Sequence, residues 1–275
     1  MSNVSQPSAL TRKVASTSRR ARLSRSGNLP RLLGPVLLLL VWELSSQMGW
    51  LPAKLLAAPS TALTTGYQMV VNGTLQPHLL ASAKRAYLGL GLGVAVGLAL
   101  ALVAGLTRLG DALFDGVVQI KRAIPTMALI PLAIIWMGIG DTMKIALIAA
   151  SVCVPIYINT HAALKGIDIR YVELAKTLRI SKGRFIRRVA LPGALPGFFT
   201  GLRFAVTLCW GALVVLEQIN TTQGVGYLMN RARDYGQTDI IVVGLVIYMV
   251  LGLLSDHIVR LIERRTLRYR KVLGS

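Results

Sequence analysis

The sequence predicts an all-α polytopic membrane protein, with about six transmembrane helices and both termini in the cytoplasm. Three observations predict it. Of the 275 residues, 53% are hydrophobic and 15% charged, and the mean hydropathy is +0.58; a soluble domain is roughly 45–50% apolar and about a quarter charged. The apolar residues fall in long runs, near the ~20 residues that cross ~30 Å of hydrocarbon at ~1.5 Å per residue. The formal net charge of +20 sits in a few connections and at the two ends, so it reads as positive-inside bias rather than a nucleic-acid patch.

The elements follow in order. Residues 1–31 are Ser- and Arg-rich, with seven basic residues and no acid. They suit a basic cytoplasmic tail, although a mitochondrial transit peptide shares that composition. A cleaved signal peptide fits poorly, because the basic region is long and further spans follow. The candidate spans are 32–50, 86–106, 123–139, 145–164, 199–216 and 240–258. The first holds Pro35 and Glu43, and the third is interrupted by Pro125 and Pro131. A membrane domain therefore covers 32–264, including a loop at 165–198, and a basic tail closes the chain at 265–275.

Charge sets the orientation. With the N-terminal tail inside, the inside segments are the tail, 107–122, 165–198 and the chain after 259. They hold seven, three, eight and six basic residues, against three, one and two in the outside connections 51–85, 140–144 and 217–239. Twenty-four against six places both termini in the cytoplasm.

Within the second span, Gly89, Gly93, Gly97, Ala101 and Gly105 recur every four residues. Such a stripe lets another helix approach closely; the plainer reading is ordinary membrane-helix composition. Polar residues inside spans are functional candidates. Tyr157 and Asn159 in span four either hydrogen-bond across helices or line a pathway. Arg203 and Trp210 in span five are pathway candidates too, although Arg203 can also snorkel to the surface. Glu217, at the far end of that span, is expected at the interface. Pro125, Pro131 and Pro155 free backbone groups at membrane depth, which calls for protein or a watery cavity beside them.

Cys153 and Cys209 read as buried thiols, and the three histidines match no metal spacing. No G-x-x-x-x-G-K-[ST], H-E-x-x-H or G-x-S-x-G motif occurs, so the chain is expected to be no enzyme and to bind no cofactor or metal itself.

The stretch ELAKTLRISKGRFIRRVALP, 173–192, reads as two short helices, 169–178 and 182–190, with a turn near Arg179–Ser181. Leu174, Ala175 and Leu178 fall on one side of the first, and Phe185, Ile186 and Val189 on one side of the second. Pro192 and Pro196 are expected to stop the second helix. An apolar face on this loop must be covered by the membrane surface or by a partner.

The spacing Glu173, Ala175, then Val189-x-Leu191-Pro192 resembles the EAA loop of the membrane subunits of binding-protein-dependent ABC importers. That motif runs E-A-A, three residues, G, nine residues, I-x-L-P. Here Leu174 replaces the second-position Ala, Val189 stands for Ile, and Arg179 replaces the Gly. In a left-handed turn, Arg costs ~1–2 kcal/mol relative to Gly. The stretches IPTMALIPLAIIWMGIGDTMKIALI and GLRFAVTLCWGALVVLEQI are similar to the sulfonate, taurine and nitrate permeases. VPIYIN and QTDIIVV point to the aliphatic-sulfonate members. The resemblance covers roughly 32–270.

It implies the ABC importer permease fold, a bacterial inner-membrane location and a second copy of the chain in the membrane. It also implies a cytoplasmic ATPase subunit holding ATP and Mg, and an extracytoplasmic solute-binding protein. Membrane lipid would surround the spans, and no nucleic acid would be bound. The EAA loop would supply the helix docked on the ATPase, through Glu173, Leu174, Ala175, Leu178, Arg179, Val189, Leu191 and Pro192. The solute would be a small anion of the aliphatic sulfonate kind, with taurine, nitrate or another small solute as the alternative. An ion-coupled carrier is the competing transport class, but the halves show no repeat. A membrane enzyme would need clustered catalytic groups that the sequence lacks.

Overall fold

The computed structural model describes residues 29–219 and 221–268. The predicted tails 1–31 and 265–275 lie largely outside the described residues. The described residues divide into two compact units at Pro52/Ala53. In the first, α1 (Leu29–Gln47) carries Pro35, and the Gln47 amide donates to Glu43 at 2.8 Å, one turn apart. In the second, α2 (Pro59–Val71) precedes α3 (Leu75–Leu106), α4 (Arg108–Ala123), α5 (Ile130–Met137) and α6 (Asp141–Lys165). The short α7 (Ile169–Thr177) and α8 (Lys182–Phe185) lead into α9 (Leu191–Glu217), α10 (Val225–Asp234) and α11 (Thr238–Thr266).

Among the described residues, four helices are long and apolar enough to cross a bilayer: α3, α6, the continuous run Lys182–Glu217, and α11. The bent pair α4–α5 makes a fifth, and α1 offers a shorter apolar stretch, Leu33–Gln47. α6 is the central helix, since 56% of its most apolar window is buried against 28% in α3 and α11. It lies between α3 and α9.

The small-residue stripe explains the first seam. A Cβ added to Gly89 would stand 2.5 Å from Ile148, one on Gly93 2.6 Å from the Ala149 carbonyl, and one on Gly97 2.6 Å from the Cys153 carbonyl. Gly105 meets Leu164 in the same way, and Ala101 is fully buried. The opposite side of α3 presents Leu88, Leu92, Val96 and Val103 outward, a face that hydrocarbon covers at no desolvation cost.

Three elements depart from the expected boundaries. α3 begins at Leu75, well before residue 86, because its polar residues Ser82 and Arg85 find buried partners. The expected third span, 123–139, is not one helix. α4 ends at Ala123, Ile124 is extended (φ −89°, ψ 117°), and the chain bends by 91° into Thr126–Met137. Pro125 drives Ile124 out of the helical region and supplies no N–H. Pro192 and Pro196 do not stop a helix. A π-helical turn, Ile186–Ala190, runs straight into α9, and the Leu191 N–H donates to the Ile186 carbonyl. Pro192 and Pro196 thus both lie inside the continuous run Lys182–Glu217, with Pro192 just after the π-helical turn.

Candidate functional site

Three places gather the functional candidates. The first is the loop after α6. Asp168 caps α7, its carboxylate accepting the Arg170 N–H at 2.9 Å. α7 then closes through a paired C-terminal motif: Ile180 N–H donates to the Ala175 carbonyl at 2.9 Å and Arg179 N–H to Lys176 at 3.0 Å. That pattern needs a left-handed residue between helix and exit. Arg179 supplies it at φ 52°, alone among the described non-glycine residues. Tyr171, Leu174 and Leu178 are 55–61% exposed, whereas Ala175 is 8% exposed. The outward apolar surface is therefore Tyr171, Leu174 and Leu178, not the expected trio with Ala175. Glu173 is exposed. Val189 and Pro192 are half-buried and Leu191 is partly exposed, while Ala190 and Ala194 pack with Leu164 at the root of the loop.

The second place is the opposite end of α9. Glu217 is not interfacial but buried, at 1% exposure. Its carboxylate accepts from the Ser82 hydroxyl at 2.8 and 2.7 Å, Arg85 Nη1 at 2.8 Å, Tyr248 OH at 3.0 Å and Gly226 N–H at 3.0 Å. Arg85 also reaches Asp141 at 2.6 Å and the Gln223 carbonyl at 2.6 Å. Ser82 Oγ accepts the Val225 N–H at 2.9 Å, and His78 Nδ1 the Gly224 N–H at 3.0 Å. Gly224 takes φ 135°, and a Cβ there would meet the Glu217 carboxylate at 2.5 Å. α3, α9, α10 and α11 are thereby tied around one charge-paired centre. Sequence reasoning missed it; its only trace was Ser82 and Arg85 one turn apart and a glutamate closing an apolar run.

The third place is the flank of α6 and α9. The Tyr157 hydroxyl donates to Asp115 at 3.2 Å, and its ring stacks on His161 at 5.1 Å. His161 and Lys165 both meet Asp111, at 2.9 and 2.7 Å. Tyr157 thus ties α4 to α6, while the Asn159 amide donates to Pro155 O within α6 at 2.9 Å. Arg203 and Trp210 come together along one groove of about 610 Å³ between α9 and α11. There Arg203 pairs with Asp256 at 3.3 Å, Arg260 holds the same carboxylate at 2.7 Å, and Trp210 Nε1 donates to Ser255 at 3.2 Å. A second groove of about 490 Å³ lies on the other flank, between the α4–α5 break, α6 and α9, with Thr207 lining both. Pro125 and Pro155 line it, so the irregular backbone faces a cavity.

Comparison with known proteins places this geometry. The family model described as "Binding-protein-dependent transport system inner membrane component" matches residues 93–268. A putative aliphatic sulfonates transport permease protein, SsuC, of Escherichia coli (strain K12) is 42% identical over 235 residues, covering 86% of this chain and 89% of the relative. The protein of the same description in Bacillus subtilis (strain 168) is 35% identical over 246 residues, 90% and 89% of the two chains. The taurine transport system permease protein TauC of Escherichia coli (strain K12) is 30% identical over 233 residues, 83% and 85% of the two. A solved amino acid ABC transporter superposes with a TM-score of 0.60 at 17% identity, covering 72% of this chain and 97% of that one. That likeness is one of fold.

Proposed function

We propose, for a chain that belongs to the family of inner membrane components of binding-protein-dependent transport systems, that transport is driven through α7 and that the cargo is a small anion of the aliphatic sulfonate kind. The chain is a multi-pass ABC importer permease subunit of the bacterial inner membrane. In the proposed assembly two copies pair, each meets a cytoplasmic ATPase subunit that binds ATP and Mg, and a solute-binding protein delivers the cargo from outside. Both termini then lie in the cytoplasm, as the charge bias suggests.

The observation that carries the reading is the exposed trio Tyr171, Leu174 and Leu178 on a short helix with a tightly closed end. Apolar side chains displayed in water on a basic loop favour burial in a partner's groove. α8 and the π-helical turn continue into α9 as one unbroken run, so a push on the loop is transmitted along a rigid rod to the grooves beside Thr207. Exposed cations Arg184, Arg187 and Arg188 suit the rim of an acidic groove. The sulfonate assignment rests on the relatives' descriptions, with taurine, nitrate or another small solute as the alternative cargo.

The test is co-purification with the ATPase and growth on ethanesulfonate as sole sulfur source. Leu174→Glu combined with Leu178→Glu is expected to abolish both, with normal membrane insertion. Co-purification and growth at wild-type levels would refute coupling through α7. Undiminished growth of a strain lacking the chain would refute the sulfonate assignment.

A further inference from the structure

We propose that the groove between the α4–α5 break, α6 and α9 holds an anion station, in which Lys121, Arg122 and Thr126 receive the oxyanion group of the transported solute. The proposal rests on the import of a small anion set out above and assigns that anion to named side chains.

Depth is the first argument. The sequence placed Lys121 and Arg122 in a cytoplasmic connection, but α4 runs antiparallel along α6. Asp111 meets Lys165, Asp115 meets Tyr157, and Lys121 lines one groove with Ser151, Val154 and Pro155. Those three residues bracket the midpoint of α6 (Asp141–Lys165). Ten residues of α4 from Asp111 to Lys121 rise about 15 Å, so the two cations stand near the middle of the span. Cations at that depth face a watery cavity or a partner, and mark solute pathways.

Charge is the second argument. Among the described residues, no carboxylate lies within ion-pair distance of Lys121 or Arg122, and the groove lining contains no acid. The neighbouring groove is different, because Asp256 there answers Arg203 and Arg260. Both cations lie in the last turn of α4, where they also favour its carbonyl end. That gain is small beside the cost of two cations at mid-span.

The donors are the third argument. Lys121 Nζ donates to Thr126 Oγ1 at 2.9 Å, which leaves two ammonium hydrogens and the threonine's own O–H to point at a ligand. The Ser151 and Thr207 hydroxyls are already spent on the carbonyls of Leu147 and Arg203. Arg122 is exposed and adds a planar fork matched to oxyanions. A groove of about 490 Å³ has room for a small sulfonate.

The experiment uses the complete transporter in proteoliposomes, with ethanesulfonate as the probe. Uptake and binding-protein-stimulated ATP hydrolysis are measured side by side. Lys121→Met is expected to lower uptake about tenfold or more, the loss of a charge-assisted hydrogen bond, while stimulated hydrolysis persists. Lys121→Arg is expected to restore most of the uptake. Lys84→Met, at an exposed cation of α3, is expected to change neither. Arg122→Gln keeps the test decisive if Lys121→Met does not assemble, and is expected to lower uptake several-fold. Wild-type uptake in Lys121→Met, or in Arg122→Gln where the former is not recovered, would overturn the station and leave the import of anions standing. A wild-type transporter that imports none of ethanesulfonate, taurine or nitrate would overturn both.

Discussion

The two ends of α9 are built on opposite plans. At the far end the Glu217 carboxylate is buried and answered: it accepts from Ser82, Arg85, Tyr248 and a backbone N–H. At the loop end, apolar side chains of α7 stand in solvent and a long cation holds a left-handed turn. At the first end the Glu217 carboxylate finds its partners within the chain. The second leaves its apolar side chains to be covered by another molecule. A subunit that passes force from a partner to a membrane pathway needs both, a fixed point and a handle.

Breaking the fixed point gives the largest expected effect. Glu217→Ala leaves the Arg85 guanidinium, 7% exposed at its side chain, without its buried partner. Removing one member of a buried ion pair costs about 3–5 kcal/mol. The detergent-solubilised variant is expected to melt well below wild type, or not to be recovered, in a fluorescence size-exclusion melting series. A wild-type melting temperature would mean that Asp141 and Gln223 hold Arg85 unaided, and the two ends would differ less than the geometry suggests.

A milder break sharpens the same point. Gly224 must be glycine for two reasons: its φ of 135° and the carboxylate that a Cβ would strike. Gly224→Ala is expected to destabilise by about 1–3 kcal/mol, the range for a forced overpacking, with a smaller drop in melting temperature than Glu217→Ala. Gly236, also left-handed but with open space around its Cβ position, is the control for backbone strain alone. Equal losses at Gly224 and Gly236 would show that the carboxylate cage adds nothing.

What the sequence disclosed follows the range of the interactions. Apolar runs are local, so four of the six expected spans fall on helices long and apolar enough to cross, and 32–50 falls largely on the shorter α1. The spacing of Glu173, Ala175, Leu191 and Pro192 is local too, and so is the turn at Arg179. The Glu217 centre was hidden because Arg85 lies 132 residues away, and no periodicity reports a pairing at that distance. α4 was misread for a subtler reason. Its Asp111, Asp115, Lys121 and Arg122 give it the polarity of a loop, yet Asp111 and Asp115 are answered by His161, Lys165 and Tyr157, which lets a polar helix lie along a span. Ala175 was misassigned because it follows Leu174 by a single residue, about 100° around the helix, enough to turn it out of the exposed face.

The smallest expected effect lies at the handle itself. Arg179 occupies a left-handed position that costs a side-chain-bearing residue ~1–2 kcal/mol, and glycine recovers that at the expense of ~0.5–1 kcal/mol of chain entropy. Arg179→Gly is therefore expected to stabilise the loop by up to about 1.5 kcal/mol, seen as slower proteolysis after α7, with uptake unchanged. Arg179→Asn, which tolerates the same backbone without the charge, should behave alike, and Arg179→Lys should cost nothing beyond wild type. If uptake instead falls with Gly and Asn but not with Lys, the cation is held in its strained turn for contact with the partner. The stored strain would then belong to the docking surface rather than to the fold.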